Sequence, residues 1–127
     1  MTKAASVLVA VATVFVLAEA FAFWNEGAAR KSSCPSGTQK FVHVCIEKTA
    51  RPPAAFADAS AACAAEKRRL PTSAELDGFR QQSGVTLASP AEWSSDFTSA
   101  TSATVMSDAG AFGNNALTTA TPFRCVA

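Results

Sequence analysis

The first hydrophobic pattern in the chain is unbroken: residues 4–18 read AASVLVAVATVFVLA and contain no charge. A run without a polar face is typical of a membrane-active segment and not of a core helix. Glu19 and Phe21 each lie between alanines, which is the small-x-small pattern of signal peptidase sites. If signal peptidase does not cleave here, the apolar stretch reaches about 20 residues, which is the length that spans a bilayer. The Glu19 carboxylate disfavours insertion. We therefore predict a signal peptide or a membrane-anchor helix over 1–24, and either one places the rest of the chain outside the cytoplasm.

Small and polar residues follow this segment, and NEGAARKSS at 25–33 has the composition of a linker. The predicted folded domain covers 34–127. Near its start, a Pro-Ser-Gly turn precedes FVHVCI at 41–46, in which alternate residues would share one face of a strand. This alternation predicts a hairpin or a short strand pair. Arg-Pro-Pro at 51–53 is expected to break the strand pattern.

Helical spacing replaces the alternation in the middle of the chain. The alanine-rich stretch at 54–70 predicts a helix of three to four turns, because alanine has the highest helix propensity, and Pro71 is expected to stop it. Thr72 and Glu75 have the spacing of a capping box. They predict a second helix to about Ser83, closed by Gly84 in a left-handed conformation.

Short β-like pieces rich in Ser, Thr and Ala fill the rest of the sequence. We predict strands around 92–97, 103–107 and 122–126. Turns are expected at Ser89-Pro90, Asp108-Ala109-Gly110 and Gly113-Asn114-Asn115. The predicted fold class is therefore α+β, with two helices and short antiparallel strands.

Composition and charge exclude some classes of function. A chain of 127 residues suits one domain, and its formal net charge of +1 argues against nucleic acid as a partner, since phosphate binding needs a basic excess. The four cysteines permit three pairings. Their spacing contains no Cys-x2-Cys pair and His43 is the only imidazole, so we predict no zinc site.

A basic run lies at the end of the first predicted helix, at 67–69. Positive charge there interacts favourably with the helix dipole, and this structural role is the one we expect. Arg69 is also expected to pair with Glu75 across the connection between the helices.

The order of these pieces resembles the C-type lectin-like fold, and most closely its bacterial branch related to formylglycine-generating sulfatase-modifying proteins. In that branch a D-A-x-x-x-C helix leads into R-L-P-T-x-x-E, and the resemblance covers 34–127. The residues that carry the match are Asp58, Ala59 and Cys63, followed by Arg69, Leu70, Pro71, Thr72 and Glu75.

The resemblance implies two disulfides, Cys34 with Cys45 and Cys63 with Cys125. Sugar-binding members of the fold hold calcium with a Glu-Pro-Asn or Gln-Pro-Asp triplet and a Trp-Asn-Asp triplet. This sequence has neither, and EWSSD at 92–96 occupies the place of the second. We therefore predict no metal and no cofactor.

Enzymatic chemistry is not expected either. Formylglycine-generating enzymes need an additional reactive cysteine pair, whereas both pairs here would form structural bridges. His43 is the only candidate base for a nucleophilic triad, and it lies in the alternating strand segment.

These observations predict an extracytoplasmic, non-enzymatic binding or structural module, secreted or anchored at the cell surface. The alternative is a small enzyme or accessory factor of the sulfatase-modifying type. The expected partner is a protein or glycan of the cell envelope, and self-assembly of the N-terminal helix in a membrane or filament is a further expectation. Because loops carry recognition in this fold, the predicted ligand surface is 89–120. Its candidate ligand-binding residues are Trp93, Asp96, Asp108, Asn114 and Asn115.

Overall fold

Short strands and two helices make up residues 33–127, the part of the chain that the structure, a computed structural model, describes. This confirms the predicted α+β class. The predicted segment 1–24 and linker positions 25–32 lie outside the described residues, and within 33–127 no helix is long and apolar enough to cross a membrane. The elements are β1 (Thr38–Phe41), β2 (Val44–Glu47), β3 (Arg51–Ala54), α1 (Phe56–Ala65), α2 (Ser73–Arg80), β4 (Glu92–Ser99), β5 (Ser102–Met106), β6 (Phe112–Ala116) and β7 (Thr121–Phe123).

The strands form three small antiparallel sheets, which are β1-β2, β3-β7 and β4-β5-β6. Residues after β7 connect two parts of the structure. The Cys45 amide donates to the Ala127 carbonyl at 3.0 Å, and the amide of Arg69 donates to the carbonyl of Val126 at 3.0 Å. The predicted strand over 122–126 is therefore present as β7 followed by isolated bridges at Val126.

The predicted hairpin is confirmed, and it turns inside FVHVCI at 41–46. Phe41 pairs with Val44, so Val42 and His43 form the turn between β1 and β2. The predicted shared face of Phe41, His43 and Cys45 was wrong, because His43 lies in the turn. Val42 adopts a φ of 52°, a region that costs a β-branched residue steric strain. Nothing in the local sequence signals this turn, since neither residue is Gly, Asn or Asp.

The first helix ends at Ala65 and not near Leu70. Lys67 has a φ of 58°, and the amides of Lys67 and Arg68 donate to the carbonyls of Ala64 and Cys63, both at 2.9 Å. This is a Schellman motif, which satisfies the last helical carbonyls with a left-handed residue that is usually glycine. The motif turns the basic run out of the helix.

The second helix begins as its sequence predicts. The Thr72 hydroxyl accepts from the Glu75 amide at 3.1 Å, and the Glu75 carboxylate accepts from the Thr72 amide at 2.8 Å. The capping box is thus confirmed. Gly84 has the expected left-handed φ of 80°, although α2 already ends at Arg80.

Two strands were missed. Pro52 and Pro53 lie within β3, which pairs on one side with β7. Proline is tolerated in such an edge strand because an outward-facing position needs no ladder N–H. The predicted turn at 113–115 is instead the middle of β6, where Asn114 pairs with Thr104 of β5. Tertiary pairing has overridden the low β-propensity of its asparagines.

Both disulfides that the resemblance implies are present, Cys34–Cys45 and Cys63–Cys125. The second joins α1 to the residue after Arg124 and closes a sequence separation of 62. Cys63 and Cys125 are fully buried in the main core cluster beside Trp93. This bridge therefore crosses the centre of the domain.

A buried ion pair lies beside the bridge. Arg124 follows β7 and Glu92 begins β4, and both are fully buried. Nε and Nη2 of Arg124 donate to the Glu92 carboxylate at 2.7 and 2.5 Å. The guanidinium also donates to the carbonyls of Glu47, Lys48 and Thr86. Each of its N–H groups has an acceptor, which is the condition under which a buried charge is tolerated.

We predict that removing the long bridge destabilises the domain strongly. The double change Cys63→Ala and Cys125→Ala frees a loop of this length in the unfolded chain, at a cost of about 4 kcal/mol. Urea unfolding of the full chain measures the loss. The control Lys67→Ala removes an exposed charge and should shift stability by less than about 0.5 kcal/mol. Equal unfolding midpoints would contradict the structural role of the bridge.

We also predict that Arg124→Met costs about 3–5 kcal/mol, because it leaves the Glu92 carboxylate buried and uncompensated. The matched control is Arg69→Met, since Arg69 also pairs with a glutamate but its side chain is 52% exposed. That exposed pair should contribute about 0–1 kcal/mol. Urea unfolding measures the free energy of unfolding of both variants. Similar losses in the two would contradict the larger contribution of the buried pair.

Candidate functional site

The hairpin between β4 and β5 carries the strongest candidate surface, which we define as residues 97–102 and call the β4–β5 tip. Phe97 is 61% exposed. Its ring centroid lies 4.9 Å from that of Phe56, at the start of α1, and Phe56 lies 5.4 Å from the buried Trp93. This aromatic column supports an exposed ring from the core, because side chains packed in this way have few alternative rotamers.

Hydroxyl groups of the β4–β5 tip bond to one another. The Ser102 hydroxyl lies 2.7 Å from the Thr98 hydroxyl and 2.7 Å from the Ser99 hydroxyl. Ser99 also accepts from the Thr101 amide at 3.2 Å. The tip has no titratable side chain. The tip therefore carries an exposed apolar ring and mutually bonded hydroxyl groups, a composition that suits a neutral ligand with both apolar surface and hydrogen-bonding groups.

Of the predicted ligand-binding residues, Trp93 is fully buried. Its indole Nε1 donates to the Ala54 carbonyl at 2.9 Å, so both its ring and its polar atom are used inside the domain. Trp93 therefore supports the candidate surface from below and does not present itself to a ligand.

Three other predicted residues hold the fold through hydrogen bonds. Asp96 accepts from the Ser73 amide at 2.8 Å and from the Ser73 hydroxyl, at the start of α2. Asp108 accepts from the Leu87 amide at 2.8 Å. Asn115 donates to the Thr121 hydroxyl at 2.9 Å. These residues are not gathered around one point.

Asn114 differs from the other four predicted residues. It is exposed on β6, and no side-chain hydrogen bond is found for it among the described residues. It alone of the five presents its side chain free to solvent.

Glu92 begins EWSSD, the segment that occupies the place of the Trp-Asn-Asp calcium triplet. Glu92 is the buried partner of Arg124. Within the described part of the chain, no three His, Cys, Asp or Glu side chains converge as a metal ion would require.

None of the four cysteines carries a free thiol in this structure. His43 lies exposed in the β1–β2 turn, away from the strand position that its sequence pattern suggested. The reactive thiols of sulfatase-modifying chemistry would therefore require a bridge to open.

A second surface feature lies between the β1–β2 turn and the start of α2. This cavity of about 300 Å³ is largely apolar. Val42, the strained turn residue, is 64% exposed beside it. The residues that line the cavity are Phe41, Val42, His43, Val44, Ala74 and Glu75.

Glu75 is the acidic group of this cavity. Arg69 donates to its two carboxylate oxygens at 2.7 and 2.9 Å, which confirms the expected pair. These hydrogen bonds hold the pKa of Glu75 below its ordinary value, outweighing the partial burial that acts in the opposite direction. The Thr72 amide contributes in the same direction. The Glu75 carboxylate is thus already bound by Arg69 and by the backbone at the start of α2.

No protein-family model matches the chain, and no curated protein matches its sequence.

Sequence reasoning missed the aromatic column and the buried ion pair. Phe56 and Phe97 are 41 positions apart by their numbers, and only the folded chain brings their rings together. The available signal was the helical register of α1, which places Phe56 three residues before the buried Ala59 and thus near the core face. Arg124 lies next to Cys125, but a charge beside a cysteine does not by itself indicate burial.

We predict a pH-dependent contribution from Glu75. Its lowered pKa in the folded state means that the stabilisation is present above the ordinary glutamate pKa of about 4.3 and is lost as pH falls through the folded value. Glu75→Gln should therefore lower the free energy of unfolding at neutral pH, while the difference from the native chain shrinks under acid conditions. Urea midpoints across the pH range measure this.

The control for this prediction is the same substitution in an Arg69→Gln background. Without the guanidinium, Glu75→Gln should show a weaker dependence on pH. An unchanged dependence would mean that Arg69 is not the cause.

Proposed function

We propose that this chain is an extracytoplasmic, non-enzymatic binding module with a C-type lectin-like fold, delivered or tethered by its N-terminal apolar segment. Its recognition surface is the β4–β5 tip, and its ligand is a neutral component of the cell envelope, either a glycan or a protein surface. The observation that carries the proposal is Phe97, an exposed aromatic ring supported by a buried aromatic column.

The fold assignment rests on the arrangement of bridges and helices. In the proposed family, one bridge staples the first hairpin and another joins the first helix to the last strand. Cys34–Cys45 and Cys63–Cys125 have this arrangement. The R-L-P-T-x-x-E segment supports the same assignment, because Thr72 and Glu75 cap α2 and Arg69 pairs with Glu75.

The location outside the cytoplasm is supported by the cysteines. Small domains with two disulfides are typical of oxidising compartments, because cytoplasmic thiols are kept reduced. Every cysteine of this chain is bridged. The apolar run at 4–18 provides a route out of the cytoplasm.

A non-enzymatic role is supported by the composition of the tip. Catalysis commonly requires a nucleophile, acid or base with an adjusted pKa. The β4–β5 tip offers only a phenyl ring, hydroxyl groups and backbone. Such a surface binds through apolar contact and hydrogen bonds, and exposed aromatic side chains are frequent anchors in interfaces.

The test is a binding screen of the full chain against envelope glycans and envelope proteins, with and without calcium. We predict that Phe97→Ala reduces affinity for the ligand found by at least about tenfold, the loss expected for an interface anchor. Val42→Ala is the matched control, since Val42 is an exposed apolar residue on a different hairpin. Calcium should leave binding unchanged.

Two outcomes would contradict the proposal. Equal binding by the native chain and Phe97→Ala would remove the β4–β5 tip as the recognition surface. Two or more reactive thiols in the non-reduced protein from its native host would instead favour the sulfatase-modifying alternative.

A further inference from the structure

The edges of the three sheets differ in how they are protected. An unpaired strand edge attracts other strands, and folded proteins usually block it with proline, charge or a covering segment. β3 contains Pro52 and Pro53, and β1 contains Lys40. β2 is covered by the C-terminal residues, as the Cys45 amide donates to the Ala127 carbonyl. β4 is met by the Pro71 carbonyl, which accepts from the Ser95 amide.

β6 has neither proline nor charge, and of its outward backbone groups only the Ala116 carbonyl is met by another segment, through the Thr119 amide. Its sequence, Phe112-Gly113-Asn114-Asn115-Ala116, contains no charge and no proline. It is the last strand of its sheet, with β5 on one side and no strand of the described chain on the other. Phe112 is 60% exposed, and Asn114 and Ala116 are exposed as well.

The register shows which backbone groups point to the open edge. The Leu117 amide bonds to the Thr101 carbonyl and the Ser107 amide bonds to the Ala111 carbonyl. Because hydrogen-bonded pairs alternate in an antiparallel ladder, 113 and 115 also bond to β5. The N–H and C=O groups of 112, 114 and 116 therefore point away from β5. Of these, the carbonyl of Ala116 accepts one bond from the Thr119 amide and keeps a second lone pair.

We propose that β6 pairs antiparallel with β6 of a second copy of this chain, about a two-fold axis at Asn114. In this register the two Asn114 residues exchange backbone hydrogen bonds. Phe112 of each copy lies opposite Ala116 of the other, so that a large side chain meets a small one twice. The pairing joins the β4-β5-β6 sheets of the two copies into one sheet of six strands.

A second copy fits this edge because the strand is complementary to itself. An isologous contact requires that each residue and its partner be compatible in both directions. Phe112 with Ala116 and Asn114 with Asn114 meet this condition, and no charge on β6 opposes itself across the axis. A contact of five residues is small, so the dimer is weak and forms at high local concentration. Pairing of the two copies involves only the edge of β6 and does not depend on ligand binding at the β4–β5 tip.

The first test measures backbone amide exchange of the full native chain in detergent micelles over a range of protein concentrations. At low concentration, the amides of 113 and 115 are protected and that of Asn114 exchanges rapidly. As concentration rises, exchange at Asn114 and Phe112 should slow by at least about tenfold, because amides in a hydrogen-bonded ladder exchange only when it opens. Exchange at Asn114 that does not depend on concentration would overturn the proposal.

The second test uses Asn114→Pro, which removes the outward N–H without removing a bond to β5. Asn114→Ser keeps the N–H and is the matched control. In sedimentation equilibrium, the native chain and the control should dimerise, while Asn114→Pro should not. Protection of the Val105 amide checks that each variant is folded.

Other causes of association give different results. Association through the N-terminal segment would persist in Asn114→Pro, and the Asn114 amide of the native chain would stay unprotected. Either result would overturn the proposal. Protection of Asn114 only after an extended peptide of another sequence is added would also overturn it. Phe97→Ala should dimerise as the native chain does, so failure of ligand binding and failure of pairing are distinguishable.

Discussion

The guanidinium of Arg124 connects the three sheets of this domain. Arg124 follows β7 of one sheet, its ion-pair partner Glu92 belongs to β4 of another, and the carbonyl of Glu47 that it binds belongs to β2 of the third. Sheets of two or three short strands are marginal by themselves. Because the charge is fully buried, it is tolerated only while all these partners hold their positions. The pair therefore links the relative placement of the sheets to a single set of hydrogen bonds.

The residues next to Arg124, at 125–127, also link distant parts of the domain, one of them covalently. Cys125 bonds to α1, and Val126 and Ala127 exchange backbone hydrogen bonds with Arg69 and Cys45. These contacts join positions that are far apart in sequence, and such contacts are entropically costly to form. The disulfide reduces that cost by restricting the unfolded chain. A domain with few long elements thus has one short segment that joins β2, β4, α1 and the connection between the two helices.

Local rules predicted the elements that local forces determine. The Thr72–Glu75 cap and left-handed Gly84 follow from hydrogen bonds and sterics within a few residues, and both are present. β6 was missed because its pairing with β5 overrides the turn preference of its asparagines. For the candidate site, the predicted surface 89–120 includes the β4–β5 tip, but Trp93 is buried beneath it and the exposed Phe97 was not singled out. Burial of a particular ring depends on packing between distant elements, which periodicity does not describe.

The arrangement leaves both proposed interaction surfaces, the β4–β5 tip and the edge of β6, on one sheet. β1 and β3 carry charge or proline, and β2 and β4 are met by other segments, so the framework leaves little of them available. The sheet β4-β5-β6 is held at β4 by Glu92 and Trp93, while its hairpin end and its outer strand extend away from these contacts. One end of the sheet is therefore rigid and the other accessible. A rigid attachment reduces the entropy lost when an exposed side chain is immobilised by a partner, so the aromatic column beneath Phe97 would lower the entropic cost of the binding proposed at the β4–β5 tip.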